Sequence, residues 1–397
     1  MLRYRISAES GTDALSDGVS MKVVLNLVPV CSGGGQSQAM HLLRWLAKRD
    51  DVRNDWLILV GEGTVLADFV SAHHGFNFRS FKRTYVHRFL LDFISIQKVI
   101  TEFGADVVFH FTPAWRFCRF PQVVRSVYSN LYFPEVPFWP KRPLLRFYWK
   151  KVVDYARLKG TLRADGLIFE NRAMMRRSLD LFGYPEERVK FIGPSISQVD
   201  MQGNEIGRAV GNTFRVLYLS SWHLNKNIHI LPDVARLAKD CGFNVKFVLS
   251  LERDAKVVET MITSRAKALE VEDFFELIGT VHPEDVESLV KSVDAMILLS
   301  LLECHSANIT EAWMYGKPLV ISNLDWAIAA CGDGALYVDR DDPHEIMCAL
   351  RRLSRSDNDR MRLIKDGRRM MAEMNTHSMR FEKQLEFLEA ICNVGKK

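Results

Sequence analysis

Short apolar runs alternate along the chain with segments whose apolar residues recur at helical spacing. In the first half, the runs cover residues 22–28, 56–60, 106–111, 123–128 and 166–169, and the helical patterns cover 39–47, 65–72 and 94–103. Runs this short and this apolar are typical of strands buried on both faces. Strands that alternate with helices predict a parallel sheet covered by helices, with ligands at the carboxyl ends of its strands.

A second series of the same kind follows a polar interruption. Its strands are predicted at residues 214–219, 245–249, 274–278, 295–299, 319–322 and 336–338, and its helices at 228–239, 255–269, 283–292, 307–315 and 343–353. We therefore expect an α/β protein with two Rossmann-like, doubly wound domains that face each other across a cleft. Such a cleft is the usual position of a ligand site.

The domain limits follow from where these patterns start and stop. Residues 1–20 lack the apolar stretch of a secretory signal and are expected to form a flexible extension, since a strand pattern begins directly after Met21. The segments expected after it are a first domain at 21–195, a linker at 196–212, a second domain at 213–376 and a C-terminal helix at 377–397. This last helix is expected to pack back on the first domain.

Composition narrows the class of protein. Of the 397 residues, 48% are hydrophobic and 25% are charged, which excludes a disordered or fibrous chain. No apolar run approaches the roughly 20 residues that span a bilayer. The seven cysteines form no C-x-x-C pair and have no zinc spacing, so we expect free thiols, no metal site and a cytoplasmic protein.

Charge is concentrated in one segment. The net charge of +5 is too small to indicate a nucleic-acid partner. The stretch from Lys141 to Arg163, however, holds eight basic residues against one acid, Asp154, and they are interleaved with leucine and aromatic residues. This pattern predicts a basic amphipathic helix that lies on an anionic membrane surface. An ordinary surface helix with an apolar stripe is the alternative.

The most specific motif is a pair of carboxylates, Glu303 and Glu311, around the start of a predicted helix. Ser306 stands where it can cap that helix. The free N–H groups of residues 307–309 are then expected to face an anion, as helix N-termini do. A carboxylate on each side suits a nucleotide sugar, with Glu303 near the sugar hydroxyls, Glu311 near the ribose diol and the diphosphate between them.

Other segments point to the same cleft. Lys226 follows the first strand of the second domain and is expected to reach the same phosphates. Gly279, Thr280 and Val281 end another strand and are expected to shape the base pocket. A glycine loop at residues 33–35 follows the first strand of the chain.

Taken in order, these segments resemble the retaining GT-B glycosyltransferases of the GT4 family (glycosyltransferase group 1), over nearly the whole chain from Met21. The resemblance implies transfer of a hexose-type sugar from a GDP- or UDP-sugar to a glycan or lipid-linked acceptor. It further implies retention at the anomeric carbon, with no metal and no cofactor beyond the nucleotide-sugar donor. Glu303 would orient the sugar, Lys226 would neutralise the diphosphate, and Gly34 and Gly35 would approach it.

The resemblance assigns two sets of site residues. The expected catalytic residues are Glu303, Lys226 and Glu311. The expected donor-binding residues are Gly34, Gly35, Ser221, Lys226, Thr280, Val281, Glu303, His305, Ser306, Ala307, Asn308 and Glu311. The expected role of the protein is cell-surface polysaccharide or lipopolysaccharide synthesis, on the inner face of the membrane.

Three departures from the family pattern affect the site. Ser220 and Ser221 stand where the family usually has an arginine, so one charged phosphate contact is missing. Ser129 and Asn130 follow the fifth strand where a histidine is usual. Residues 304–306 read Cys-His-Ser instead of the usual Gly-Phe-Gly type, which would narrow the pocket or bring His305 to the sugar.

Other functions fit parts of the pattern. A dinucleotide oxidoreductase also opens with a strand, a glycine loop and a helix, but residues 33–38 lack the third glycine of G-x-G-x-x-G. A sugar-nucleotide 2-epimerase has the same two-domain architecture. A catalytically altered relative that binds membrane surfaces is the non-enzymatic alternative.

Overall fold

The computed structural model describes residues 21–197 and 212–394, apart from 54, 85–86, 88–90, 114–119 and 141–142. The expected extension at 1–20, most of the expected linker at 196–212 and the first two basic residues of the 141–163 stretch lie outside the described residues.

The first domain contains a parallel sheet with the strand order β3-β2-β1-β4-β5-β6-β7. Its strands are β1 (Val23–Asn26), β2 (Trp56–Gly61), β3 (Asn77–Phe81), β4 (Val107–His110), β5 (Gln122–Ser126), β6 (Gly166–Phe169) and β7 (Val189–Phe191). In register, Asn26 of β1 lies beside Leu59 of β2 on one side and His110 of β4 on the other. The strand order reverses between β1 and β4, so a crevice opens beyond their carboxyl ends.

The second domain repeats this arrangement in the order β11-β10-β9-β12-β13-β14, again with parallel strands. A short parallel pair, β8 with β15, joins residues near the end of the first domain to the C-terminal segment. The strands are β8 (Ser195–Ile196), β9 (Phe214–Tyr218), β10 (Val245–Leu249), β11 (Phe275–Leu277), β12 (Ala295–Leu298), β13 (Leu319–Ser322), β14 (Leu336–Val338) and β15 (Asn375–Thr376). The predicted fold class, two doubly wound α/β domains, is confirmed.

Helices cover both sheets. In chain order they are α1 (Gly33–Leu46), α2 (Asp50–Arg53), α3 (Val65–Ala72), α4 (Ile96–Phe103), α5 (Leu144–Thr161), α6 (Arg172–Asp180), α7 (Leu231–Asp240), α8 (Lys256–Val258), α9 (Ser264–Ala268), α10 (Val286–Lys291), α11 (Ala307–Met314), α12 (Asp325–Cys331), α13 (Pro343–Arg355), α14 (Asp357–Ala372) and α15 (His377–Val394). Among the residues described, no helix combines the length and the apolar character needed to cross a membrane.

Two edge strands were missing from the prediction. β3 and β7 lie at opposite edges of the first sheet, and none of their residues is fully buried. Because an edge strand is covered less than a central one, it does not need the continuous apolar run by which the other strands were recognised.

The predicted glycine loop is wrong in one respect, because Gly33–Gly35 form the first turn of α1 rather than a separate loop. Gly33 has a φ of +63°, a backbone conformation that favours glycine and makes the turn from the strand into the helix. The N-terminus of α1 therefore begins immediately beside the crevice.

The C-terminal segment returns to the first domain. α14 packs in the second domain, β15 pairs with β8, and α15 then lies against α1 and the first sheet. Phe387 and Ile391 of α15 press on Gly166, where an added Cβ would come within 3.0 Å of both side chains. This close approach brings Arg380 of α15 to the floor of the cleft.

Candidate active site

A cavity of about 700 Å³ lies in the cleft between the domains. From the first domain it is lined by residues that follow β1 and β4, including Pro29 and Thr112. From the second it is lined by residues that follow β9 and β12, including Lys226 and Glu303. The strand order of both sheets reverses at these strands, so the two crevices together form one site.

Lys226 and Glu303 form an ion pair in the cavity, with 2.5 Å between Lys226 Nζ and Glu303 Oε1. Each side chain is 18% exposed. The hydroxyl of Tyr218, at the end of β9, donates to the Lys226 carbonyl oxygen and accepts from the Leu299 N–H beyond β12. The two predicted residues are therefore brought together by adjacent central strands.

Asn225 fixes the spacing of this pair and was not predicted. Its Nδ2 donates to the Leu302 carbonyl oxygen at 2.8 Å, and its Oδ1 accepts from the Leu302 N–H at 2.9 Å. The next residue but one, Asn227, has a φ of +56° and donates to the Arg340 carbonyl oxygen at 2.6 Å. Asparagine is one of the few residues that tolerate this left-handed conformation, so Asn227 is the residue from which the turn could have been predicted.

The start of α11 differs from the prediction. Ser306 occupies the N-cap position, but its hydroxyl donates to Asn308 Oδ1 at 3.0 Å and does not cap a backbone N–H. Asn308 Nδ2 donates in turn to the Leu219 carbonyl oxygen at 2.8 Å. These two side chains tie α11 to the end of β9 and do not line the cavity, whereas Ala307 and Thr310 do.

Glu311 lies one turn along α11 and is not among the residues that line the cavity. Burial raises the pKa of its carboxyl group to about 7. Within the described part of the chain, no side chain donates a hydrogen bond to this carboxylate. The side chain is half-buried, and this partial loss of hydration is not offset by a partner that would stabilise the charge.

Besides Ser306, Asn308 and Glu311, three further predicted donor-binding residues lie outside the cavity, namely Ser221, Thr280 and Val281. The N–H and the hydroxyl of Thr280 both donate to Glu252 Oε1, at 2.8 and 2.6 Å. These bonds lower the pKa of Glu252. Thr280 thus ties the loop that follows β11 to the loop that follows β10, and the cavity is formed without it.

Gly34 and Gly35 line the cavity from the first turn of α1. A Cβ built on Gly34 would meet no atom within 4 Å, so the backbone of this residue is open to the cleft. A ligand can approach the N-terminus of α1 closely at this position.

A charged cluster at the floor of the cavity was not predicted. Glu170 accepts hydrogen bonds from Arg125 and from Arg380, and both Arg125 and Glu170 line the cavity. Burial opposes ionisation, but the two guanidinium groups outweigh it and lower the pKa of Glu170 to about 2. His305 lies beside this cluster, and burial lowers its pKa to about 4. The available signal was a charged residue, Arg125, inside a buried strand.

Another part of the cavity lining is aromatic and polar. Trp139 and Asn130 line the cavity, and both donate to Asp154 Oδ2 of α5, at 2.5 and 2.8 Å. Phe138 lies across the cleft from His223, with 5.8 Å between the ring centroids. Flat aromatic faces next to hydrogen-bonding side chains are suited to binding a sugar.

This fold and cleft are those of the GT-B class. Residues 205–370, the segment that carries Lys226, Glu303 and Glu311, match the family model described as Glycosyl transferases group 1. No curated protein matches the chain in sequence.

Solved structures confirm the predicted GT-B fold. HepE from Anabaena in complex with UDP has a TM-score of 0.69 at 16% identity, and the match covers 93% of this chain and 100% of HepE. Sucrose-phosphate synthase from Thermosynechococcus elongatus has a TM-score of 0.68 at 15% identity, with 93% and 99% covered. WaaG, a glycosyltransferase involved in lipopolysaccharide biosynthesis, has a TM-score of 0.66 at 15% identity, with 92% and 99% covered.

Proposed function

We propose that the protein is a retaining, metal-independent glycosyltransferase that moves a hexose-type sugar from a UDP- or GDP-sugar to a glycan or lipid-linked acceptor. The observation that carries the proposal is the Lys226–Glu303 pair, which stands in the cleft within the segment that matches group 1 glycosyl transferases. UDP is favoured because the similar protein HepE was solved with UDP and with UDP-glucose.

The donor occupies the cleft between the pair and the N-termini of α1 and α11. An ammonium group has three donors, so Lys226 keeps Glu303 and still donates to a phosphate oxygen. The open backbone at Gly34 admits the diphosphate from the other side. Glu303 then receives the sugar hydroxyls. Glu311 directly follows Thr310, which lines the cavity, and we assign it to the ribose diol at the border of that cavity.

Bond breaking needs stabilisation of the departing diphosphate. Lys226 supplies positive charge where negative charge develops. Glu303 is a poor nucleophile while it is paired at 2.5 Å with an ammonium group. We therefore assign it to orienting the sugar. The acceptor hydroxyl oxygen attacks the anomeric carbon on the face that the diphosphate leaves, the bond from that carbon to the diphosphate oxygen breaks, and the departing diphosphate takes the hydroxyl proton.

The acceptor side of the proposal rests on α5. Its outer face exposes large apolar side chains, with Leu145 85%, Trp149 61% and Tyr155 63% exposed. Arg146 and Lys151 are also exposed on this helix. An exposed apolar stripe flanked by basic residues suits the surface of an anionic membrane, and this supports a lipid-linked acceptor in cell-surface polysaccharide or lipopolysaccharide synthesis.

A thermal-shift titration with UDP, GDP, dTDP, CDP, ADP and NAD, with and without magnesium, tests the donor. A ligand that binds only the folded state raises its melting temperature. Stabilisation by one nucleoside diphosphate that does not depend on magnesium is expected. Stabilisation by NAD alone would support the oxidoreductase. A separate turnover assay without acceptor tests the epimerase, which would convert the sugar nucleotide to its epimer.

Vesicle flotation tests the membrane surface. Leu145→Ser and Trp149→Ser should reduce binding to anionic vesicles while leaving UDP binding unchanged. Leu181→Ser is the matched control, because Leu181 is 55% exposed and lies outside α5. Equal vesicle binding by all three variants and the parent protein would refute the role of α5.

A further inference from the structure

Arg125 of β5, Glu170 just after β6 and Arg380 of α15 meet at the floor of the cleft. Only 3%, 7% and 0% of their respective surfaces are exposed. Arg125 Nε and one terminal nitrogen of Arg380 both donate to Glu170 Oε1. The other terminal nitrogen of Arg380 donates to Gln38 Oε1 at 2.7 Å, and Gln38 also lines the cavity.

The cluster carries an excess of positive charge. Two guanidinium groups face one carboxylate, while the neighbouring Lys226–Glu303 pair is balanced. His305 adds no charge near neutral pH, because its pKa is lowered by burial. One positive charge at the floor of the cleft is therefore uncompensated by the described residues that surround it, and a buried charge of this kind is costly without a partner.

The geometry directs this charge toward the cavity. Arg125 lies over the ring of Phe111, with 4.4 Å between Arg125 Cζ and the ring centroid, which holds its guanidinium group at the cavity wall. Two buried nitrogen atoms, Nε of Arg380 and Nε2 of His305, have no hydrogen-bond partner among the residues described. An anion in the cavity beside Arg125 would offset the charge of both arginines.

We propose that Arg125, supported by Arg380, binds an acidic group of the acceptor, a phosphate or a carboxylate. Arg125 and Glu170 belong to the first domain and line the cavity together with Asn130 and Trp139 of that domain, whereas Lys226 serves the donor from the second domain. This assignment rests on the proposed function, since it takes the second substrate to be a sugar nucleotide. The donor diphosphate is the other possible source of the same oxyanion chemistry.

Inorganic phosphate is the probe. Its stabilising effect on the full chain is measured by thermal shift at constant ionic strength, without UDP and with saturating UDP. Phosphate should stabilise the protein in both conditions, because the acceptor subsite stays open when the donor site is filled. Loss of the phosphate effect at saturating UDP would overturn the acceptor assignment and give the arginines to the donor diphosphate.

Variants identify the residue. Arg125→Gln should weaken phosphate binding in the presence of UDP by about tenfold or more, the loss expected for a hydrogen bond to a charged group. Arg125→Lys, which keeps the positive charge, should retain part of the phosphate affinity that Arg125→Gln loses. Glu170→Gln, which removes the opposing negative charge, should tighten phosphate binding, and this prediction holds even where Arg125→Gln does not fold. Arg355→Gln is the control, because Arg355 is exposed at the end of α13.

The two proposals fail differently. UDP binding that persists while phosphate binding ignores Arg125→Gln and Glu170→Gln would overturn the anion subsite alone. The other outcome is that phosphate binding depends on Arg125 while the protein binds no nucleoside diphosphate. That result would overturn both the proposed transferase and the assignment of this anion to its acceptor.

Discussion

Asn225 and Leu302 exchange two hydrogen bonds although they are 77 positions apart in the chain, and each directly precedes a charged residue of the cleft. The Leu301 N–H adds a third bond, to the Asn225 carbonyl oxygen, at 2.8 Å. Because the loops after β9 and β12 are joined in this way, Lys226 and Glu303 are held opposite each other before any ligand binds. This preorganisation lowers the cost of assembling the site.

Asn225→Ala should lower both stability and activity. It leaves the buried N–H and carbonyl of Leu302 without partners, which costs about 2–3 kcal/mol of unfolding free energy. The Lys226–Glu303 spacing is then free to vary, so kcat/KM for the sugar nucleotide should fall. Urea unfolding and steady-state kinetics check both effects. Asn244→Ala is the control, since the Asn244 amide is exposed and bonds to Thr213 at 3.0 Å. Similar losses in both variants would contradict the special role of Asn225.

Lys226→Ala should lower kcat/KM by a factor that corresponds to about 1.5–3 kcal/mol, because it removes a charged contact to phosphate. Glu303→Gln should also lower it, and the double variant should lose less than the sum of the two, since the side chains contact each other. Lys291→Ala is a matched control, because Lys291 pairs with Glu287 at the same 2.5 Å on the exposed surface. An activity loss equal to that of the control would remove Lys226 from the site.

The central strands and the Lys226 and Glu303 positions were predictable for the same physical reason. A parallel strand buried on both faces needs a continuous apolar run, and the loops that follow neighbouring runs meet at the carboxyl ends of the strands, so polar residues in those loops come together. The edge strands β3 and β7 are not buried on both faces, so they do not need a continuous apolar run and could not be recognised by one.

The charged floor was not predictable in this way. Glu170 bonds to residues 45 and 210 positions away, and the second of these bonds depends on α15 folding back onto the first domain. No local pattern encodes which distant side chain a buried charge will meet. The prediction that Thr280 shapes the base pocket was wrong for a related reason. Its position after a strand did not show that its N–H and hydroxyl would both donate to Glu252.

Two glycine-to-alanine changes on helices should have opposite consequences. Gly34→Ala adds a methyl group to open space in the cleft, so it should keep or raise stability, by up to about 1 kcal/mol, while weakening UDP binding. Gly367→Ala places a Cβ 2.1 Å from Trp313 Cδ1 in α11 and should cost about 3 kcal/mol of unfolding free energy. Urea unfolding and UDP titration of both variants make the comparison. Unchanged UDP affinity in Gly34→Ala would show that the ligand does not approach α1.

Glu311 should make stability fall as the pH rises. Its carboxyl pKa is about 7 in the folded protein against an ordinary value of 4.5. Below pH 4.5 both the folded and the unfolded state are protonated, so burial carries no charge penalty there. Between about pH 4.5 and 7 the unfolded state loses its proton first, and up to about 3 kcal/mol of stability is lost.

Glu311→Gln cannot ionise and should lose less stability over that range, so at pH 8 it should unfold at a higher urea concentration than the parent protein. Its kcat/KM should nevertheless fall, because under the proposed function the carboxylate accepts hydrogen bonds from the ribose diol. Higher stability with lower activity distinguishes a functional residue from a merely structural one. Glu287→Gln, on the exposed surface, should change neither property. Parallel pH profiles for Glu311→Gln and the parent protein would contradict the assignment, since they would mean that Glu311 ionises normally in the folded state.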